Sequence, residues 1–129
     1  MIRVLIADDH PAVRAAVLDL LRETEGIAAV GEAVDGHEAV EMAKRVRPDV
    51  VLMDVSMPNS SGLEAARLLA DERPDVRVLM FSAESTPTLV RAAREAGATG
   101  FLVKGCRGTD VVRAIRAASI GRGRWPSRP

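Results

Sequence analysis

Aromatic residues are nearly missing from this 129-residue chain: there is no tyrosine, and Phe81, Phe101 and Trp125 are all it has. Three rings cannot build the stacking platforms that hold single-stranded nucleic acid. Cysteine and histidine are as scarce, with Cys106 alone and only His10 and His37. That excludes a disulfide framework and a structural zinc site, and a lone thiol suits a reducing compartment. Net charge is absent as well, 18 bases against 18 acids, which argues against whole-surface binding of a polyanion. No apolar run is long enough to cross a bilayer. The N-terminal one, Ile2 to Ala7, is broken by Arg3 and stopped by Asp8 and Asp9, so it is no signal peptide either. A cytoplasmic protein without membrane attachment is the expectation.

What is present is the composition of one soluble domain, 47% hydrophobic and 28% charged. Five short apolar runs recur: Val4 to Ala7, Ile27 to Val34, Val50 to Met53, Val78 to Phe81 and Phe101 to Val103. Most are continuous rather than alternating, the mark of strands covered on both faces. Between and after them lie helical spacings: Val13, Val17, Leu20 and Leu21; Val40, Ala43 and Val46; Leu63, Ala66 and Leu69; Leu89, Ala93 and Ala96; Val111, Ile115 and Ala118. Gly26, Pro48, Pro74 and Gly97 punctuate the returns from helix to strand. Connections of this length between parallel strands are right-handed crossovers, which predicts a doubly wound α/β, flavodoxin-like (βα)5 fold over residues 1–120. Gly121 to Pro129 has no periodicity and reads as a linker or tail. From Lys104 onward seven bases face Asp110 alone, a net +6, leaving −6 on residues 1–103.

The polar residues that follow the strands share one edge of such a sheet: Asp8 and Asp9, then Asp54, Ser82 and Lys104. Ligands of open parallel sheets bind outside the carboxyl ends of the strands, where strand order reverses. With strand order 2-1-3-4-5 that point lies between the first and third strands and brings Asp8, Asp9 and Asp54 together. Converging carboxylates repel, and protonation or a hard divalent cation relieves them. Oxygen ligands without Cys or His favour Mg²⁺ or Mn²⁺. Taken singly, each acid reads equally well as a helix cap or an exposed strand end; three acids converging with a hydroxyl and a lysine do not. Lys104 stands out further, because 16 of the 18 bases are Arg and only Lys44 and Lys104 are Lys. A compact ammonium can follow a phosphoryl oxygen where a planar guanidinium is too large.

These residues carry a resemblance. Ala7-Asp8-Asp9-His10-Pro11, Leu52 to Pro58 with Gly62, Phe81-Ser82-Ala83 and Gly100 to Lys104 resemble the signature set of bacterial two-component response regulator receiver domains. The Asp-Asp-His-Pro opening and the ending near Gly121 are similar to the NarL/FixJ (LuxR-type) subfamily, whose members usually add a helix-turn-helix DNA-binding domain after a linker. The resemblance implies that Asp54 accepts a phosphoryl group from a sensor histidine kinase. It implies Mg²⁺ on Asp9 and Asp54, through water on Asp8, and on the Ser56 backbone carbonyl. Lys104 and the Ser82 hydroxyl would each meet a phosphoryl oxygen, and Ala83 must be small to leave the site open. Ser82 would move toward the new phosphate, and Phe101, at the family's switch-aromatic position, would turn inward behind it; plain core packing is the other reading of Phe101. Ser56 and Glu84, two residues beyond Asp54 and Ser82, are where the family tunes the approach of hydrolytic water.

The sequence also departs from the pattern. Gly105 stands where proline often follows the lysine, which leaves the loop geometry open. Asn59-Ser60-Ser61 replaces the usual residues before Gly62, a change expected to touch only a loop and a helix cap. His10 reads as local structure and partner contact rather than a catalytic base, His37 as solvent-facing, and Trp125 as an anchor or terminator of the tail. Cys106 lies near the site without any sign of redox sensing. A flavin or nucleotide carrier of the same fold is disfavoured, because Asp-Asp-His-Pro in the first βα turn repels phosphate. A receiver-like interaction module that is never phosphorylated stays open, as does a homodimer. The expectation is not an enzyme but a regulatory acceptor that acts only on its own phosphorylation, with DNA reached through a helix-turn-helix domain not included in these residues.

Overall fold

The computed structural model describes residues 1–126; the last three residues of the predicted tail, 127–129, lie outside the described ones. Five βα units follow in order: β1 (Ile2–Ala7), α1 (Pro11–Arg22), β2 (Ile27–Ala33), α2 (Gly36–Val46), β3 (Val50–Asp54), α3 (Gly62–Glu72), β4 (Arg77–Ser82), α4 (Pro87–Glu95), β5 (Gly100–Val103) and α5 (Gly108–Ser119). The strands form one parallel sheet in the order β2-β1-β3-β4-β5, as the sequence predicts. The second strand stops at Ala33, one residue short of the apolar run, and Val34 is exposed.

The continuous apolar strands bury both faces. Leu5, Val51, Met53, Val78, Met80 and Phe101 meet α2, α3 and α4. Val4, Ile6, Val50, Leu52, Leu79, Phe81 and Leu102 meet α1 and α5 on the other side. The helices answer largely with alanine: Ala39, Ala43, Ala65, Ala66, Ala93, Ala96, Ala114 and Ala118 are all buried. Small side chains let helix backbones lie close to the sheet, so strand aliphatics fill the core and few rings are needed.

Local signals set the ends of the elements. Asp35, Ser61 and Thr86 cap α2, α3 and α4 by accepting from the N–H groups of Glu38, Glu64 and Leu89, and Pro11 and Pro87 open α1 and α4. The Asn59-Ser60-Ser61 departure thus resolves into a helix cap, with Ser60 Oγ also accepting from the His37 N–H at 2.7 Å. Gly121 takes φ +77° and turns the chain back after α5. Residues 121–126 then run as irregular chain along β5, and the Phe101 N–H donates to the Arg124 carbonyl at 2.9 Å.

Candidate functional site

Asp54 is the last residue of β3 and Ser82 the last of β4, while Asp8, Asp9 and Lys104 follow β1 and β5, so all five gather at one sheet edge. Asp8, Asp54 and Ser82 are the only buried polar or charged residues among the described ones. Lys104 Nζ lies 2.9 Å from Asp8 Oδ2 and 3.3 Å from Asp54 Oδ2. Its backbone N–H donates to the Ser82 carbonyl at 2.7 Å, which ties the end of β5 to that of β4. Asp54 Oδ1 accepts from the Ser56 N–H at 3.2 Å, and Ser82 Oγ accepts from the Glu84 N–H at 3.2 Å, leaving the hydroxyl proton to donate elsewhere.

Ionisation follows from this crowding. Burial and then the Asp8 charge push the Asp54 carboxyl up to about 6, against the pull of Lys104 and the Ser56 N–H. Burial also works against the charge on Asp8, yet Lys104 and the two His10 hydrogen bonds outweigh it and hold that carboxyl below the usual range. Burial disfavours the Lys104 ammonium in the same way, and hydrogen bonding to Asp8 with the charge of Asp54 more than restores it.

Three buried oxygens in this crevice, Asp8 Oδ2, Asp9 Oδ1 and Asp54 Oδ2, accept no well-directed hydrogen bond. Two of them lie near the Lys104 ammonium, so they have charge compensation without directional satisfaction. Carboxylate oxygens met only by the Lys104 ammonium and the His10 ring fit a hard divalent cation of the Mg²⁺ class, which needs carboxylate and water ligands.

His10 is where the structure goes beyond the sequence reading. Its Nδ1 lies 2.9 Å from Asp8 Oδ1, 3.1 Å from Asp9 Oδ1 and 3.7 Å from Asp54 Oδ2. The ring therefore stands over the acid cluster rather than apart from it, while its side chain stays 60% exposed. Arg14 was not legible either. Its Nη1 donates to the Asp8 carbonyl at 2.7 Å and its Nε to Glu32 at 3.2 Å, so it braces the β1–α1 loop from the first turn of α1.

Other expected residues fall as follows. Phe101 is fully buried with the α2–α4 layer. That burial agrees with the core-packing reading of Phe101. Ala83, Glu84 and Ser56 are exposed at the mouth of the crevice, and His37 faces solvent. Gly105 has φ +95° and a trans peptide, a backbone that glycine adopts freely. Burial and the Asp110 charge raise the Cys106 thiol, which keeps it protonated and unreactive.

The sequence profile of the response regulator receiver domain matches residues 4–116. The response regulator UvrY of Escherichia coli K12 is 43% identical over 122 residues, covering 95% of this chain and 56% of that protein. The chain thus spans about half the length of the curated relatives it matches. Among solved structures, the receiver domain of the response regulator NarL from Mycobacterium tuberculosis superposes with TM-score 0.91 at 38% identity, over 94% of this chain and 98% of that one. A LuxR-family two-component response regulator from Aurantimonas sp. gives TM-score 0.90 at 35% identity, over 97% and 89%.

Proposed function

The chain belongs to the response regulator receiver domain family, of the NarL/FixJ type, and from that premise we propose that Asp54 is its phosphoryl acceptor, with Mg²⁺ held by Asp8, Asp9, Asp54 and the Ser56 carbonyl. The observation that carries this reading is the convergence at the end of β3: a buried Asp54, Lys104 Nζ 3.3 Å away, and three buried carboxylate oxygens that no well-directed hydrogen bond satisfies. Such a crevice attracts a cation and then a phosphoryl group. Bound Mg²⁺ would screen the carboxylates from the incoming phosphoryl oxygens.

The donor is a sensor histidine kinase carrying phosphohistidine. Asp54 is ionised at neutral pH, and one of its oxygens attacks phosphorus. The phosphorus–nitrogen bond breaks, and its electron pair returns to the imidazole of the donor, giving an acyl phosphate on Asp54. Lys104 pairs with one phosphoryl oxygen and the free proton of the Ser82 hydroxyl bonds another. Ser56 and Glu84, at the mouth, tune the access of hydrolytic water. The chain is a signalling acceptor and acts only on its own phosphorylation state. His10, being mostly exposed, swings aside when the crevice fills.

DNA enters through a helix-turn-helix output module rather than through the +6 end. Helix α5 commits Val111, Ala114, Ile115 and Ala118 to the sheet, and the described chain after it is irregular rather than a further helix that could enter a groove. Incubation with acetyl phosphate and Mg²⁺ tests the reading. Intact-mass spectrometry is expected to show one phosphoryl increment that chelation with EDTA prevents. An unchanged mass across donors would leave the family's unphosphorylated interaction module as the better description.

A further inference from the structure

The chain after α5 has neither helical nor ladder structure, yet it is built into the domain. Beyond the Gly121 turn, the Arg122 N–H donates to the Ala117 carbonyl and the Phe101 N–H donates to the Arg124 carbonyl, each at 2.9 Å. A Cβ on Gly123 would stand 2.2 Å from the Thr99 carbonyl oxygen and 2.4 Å from Trp125 Nε1, so only glycine fits that close against the start of β5. Trp125 is half-buried against the α2–α4 layer of the core, and the Arg94 guanidinium of α4 lies 4.0 Å over its ring. This segment covers the edge of β5 that no other strand pairs.

Its two anchor points are placed unusually. Helix α4 is thinly held: Ala93 is its one buried residue, and residues 83–88 before and at its start are exposed. Leu89 and Val90 add partial packing against the core, and the Trp125–Arg94 contact gives its last turn a further hold. That helix begins just after Ser82, and β5 ends just before Lys104. The strap thus holds the start of β5 and the last turn of α4, and the other end of each element leads to the crevice: β5 runs into Lys104, and α4 follows the loop that leaves Ser82 at the end of β4.

We propose that residues 121–126 form a latch coupled to that crevice: they dock on β5 and α4 when Asp54 is unmodified and loosen when it carries a phosphoryl group. The proposal rests on the acceptor reading above. Drawing Lys104 and Ser82 toward a phosphate pulls on the four-residue β5 directly and on α4 through the exposed loop before it, and when the two shift as units a strap fitted to the start of β5 and the last turn of α4 loses one of its partners. Loosening passes the state of Asp54 to whatever chain continues beyond. By linkage, a strap that cannot dock favours the modified state by the same factor.

Trp125 is the sole tryptophan and tyrosine is absent, so intrinsic fluorescence reads the latch directly. Acrylamide quenching of Trp125 is expected to rise when acetyl phosphate and Mg²⁺ label the protein, and not with Mg²⁺ alone. Arg94→Ala is expected to raise quenching without any donor. By reciprocity, Gly123→Val should bind beryllofluoride with Mg²⁺ about fivefold more tightly in calorimetry, the low end of ordinary coupling. Full labelling by mass with unchanged or reduced quenching overturns the latch and leaves the acceptor reading standing. Equal beryllofluoride affinity in Gly123→Val does the same. A protein that takes no phosphoryl mass overturns both.

Discussion

Gly62→Ala is expected to cost about 3 kcal/mol or more, the upper range for overpacking a tight interior. Gly62 opens α3, and its φ is not in the left-handed region, so space rather than backbone angle decides the outcome. A Cβ there would stand 1.9 Å from the Asp54 carbonyl oxygen, 2.9 Å from its carbonyl carbon and 3.1 Å from Met53 Cγ. The obstacle is the backbone of β3, a central strand paired on both sides, and it cannot swing away as a flexible side chain does. Either α3 moves outward, losing the burial of Ala65, Ala66 and Leu69, or the Asp54 main chain moves and takes the acceptor with it. Gly105→Ala is the informative partner. Nothing lies within 4 Å of its added Cβ, but its φ is +95°, so it carries only a conformational cost of about 1–2 kcal/mol. Urea unfolding of both variants separates the two mechanisms. A Gly62→Ala cost below that of Gly105→Ala contradicts the close approach of α3 to the acceptor.

Asp54→Asn is expected to stabilise the unliganded fold at neutral pH while removing its chemistry. The folded carboxyl titrates near about 6 against an ordinary 3.8, so between these values the unfolded chain gives up its proton first. Stability therefore falls as pH rises from about 4 to about 6 and stays lower above that. A rise of that size, shared with the coupled Lys104 and Asp8, corresponds to about 1–3 kcal/mol. Asp8 runs the other way. Its carboxyl is held below the ordinary value in the folded state, so its contribution is present above that value and is lost on acidification through the folded one. In EDTA, Asp54→Asn should be the more stable protein near about pH 7.5, with the gap gone below about pH 4. Mg²⁺ should narrow the gap by stabilising wild type alone. A variant less stable than wild type at neutral pH shows that the Lys104 pairing, not the crowding of charge, governs the crevice.

The strand runs were legible because burial on both faces forces them to be apolar throughout, and the alanine-bearing helix faces because the sheet demands a periodic stripe. Asp8, Asp54, Ser82 and Lys104 were legible because strand ends set position without any knowledge of packing. His10 was not, since its role depends on which way a loop side chain turns, here back over its neighbours Asp8 and Asp9 and toward Asp54 at the end of β3. Arg14 was hidden for the same reason, its target being a backbone carbonyl that sequence spacing does not reveal. Phe101 allowed two readings, switch aromatic or core packing, because the pattern gives its position on β5 but not how the ring is packed. Trp125 was legible as an anchor or terminator of the tail, but not the elements it docks on. The docking of its segment uses two backbone hydrogen bonds, a glycine-sized gap and a cation over a ring, none of which leaves a period in the sequence.

The central assignment is that the buried carboxylate at the end of β3 receives the phosphoryl group. Peptide mapping of protein labelled with acetyl phosphate and Mg²⁺, after reduction of the acyl phosphate with borohydride, tests it most directly. The account predicts a single modified residue, Asp54, and no label on Asp54→Asn under the same conditions. A label on Asp8 or Asp9 in wild type, or equal labelling of the Asn variant, would contradict it.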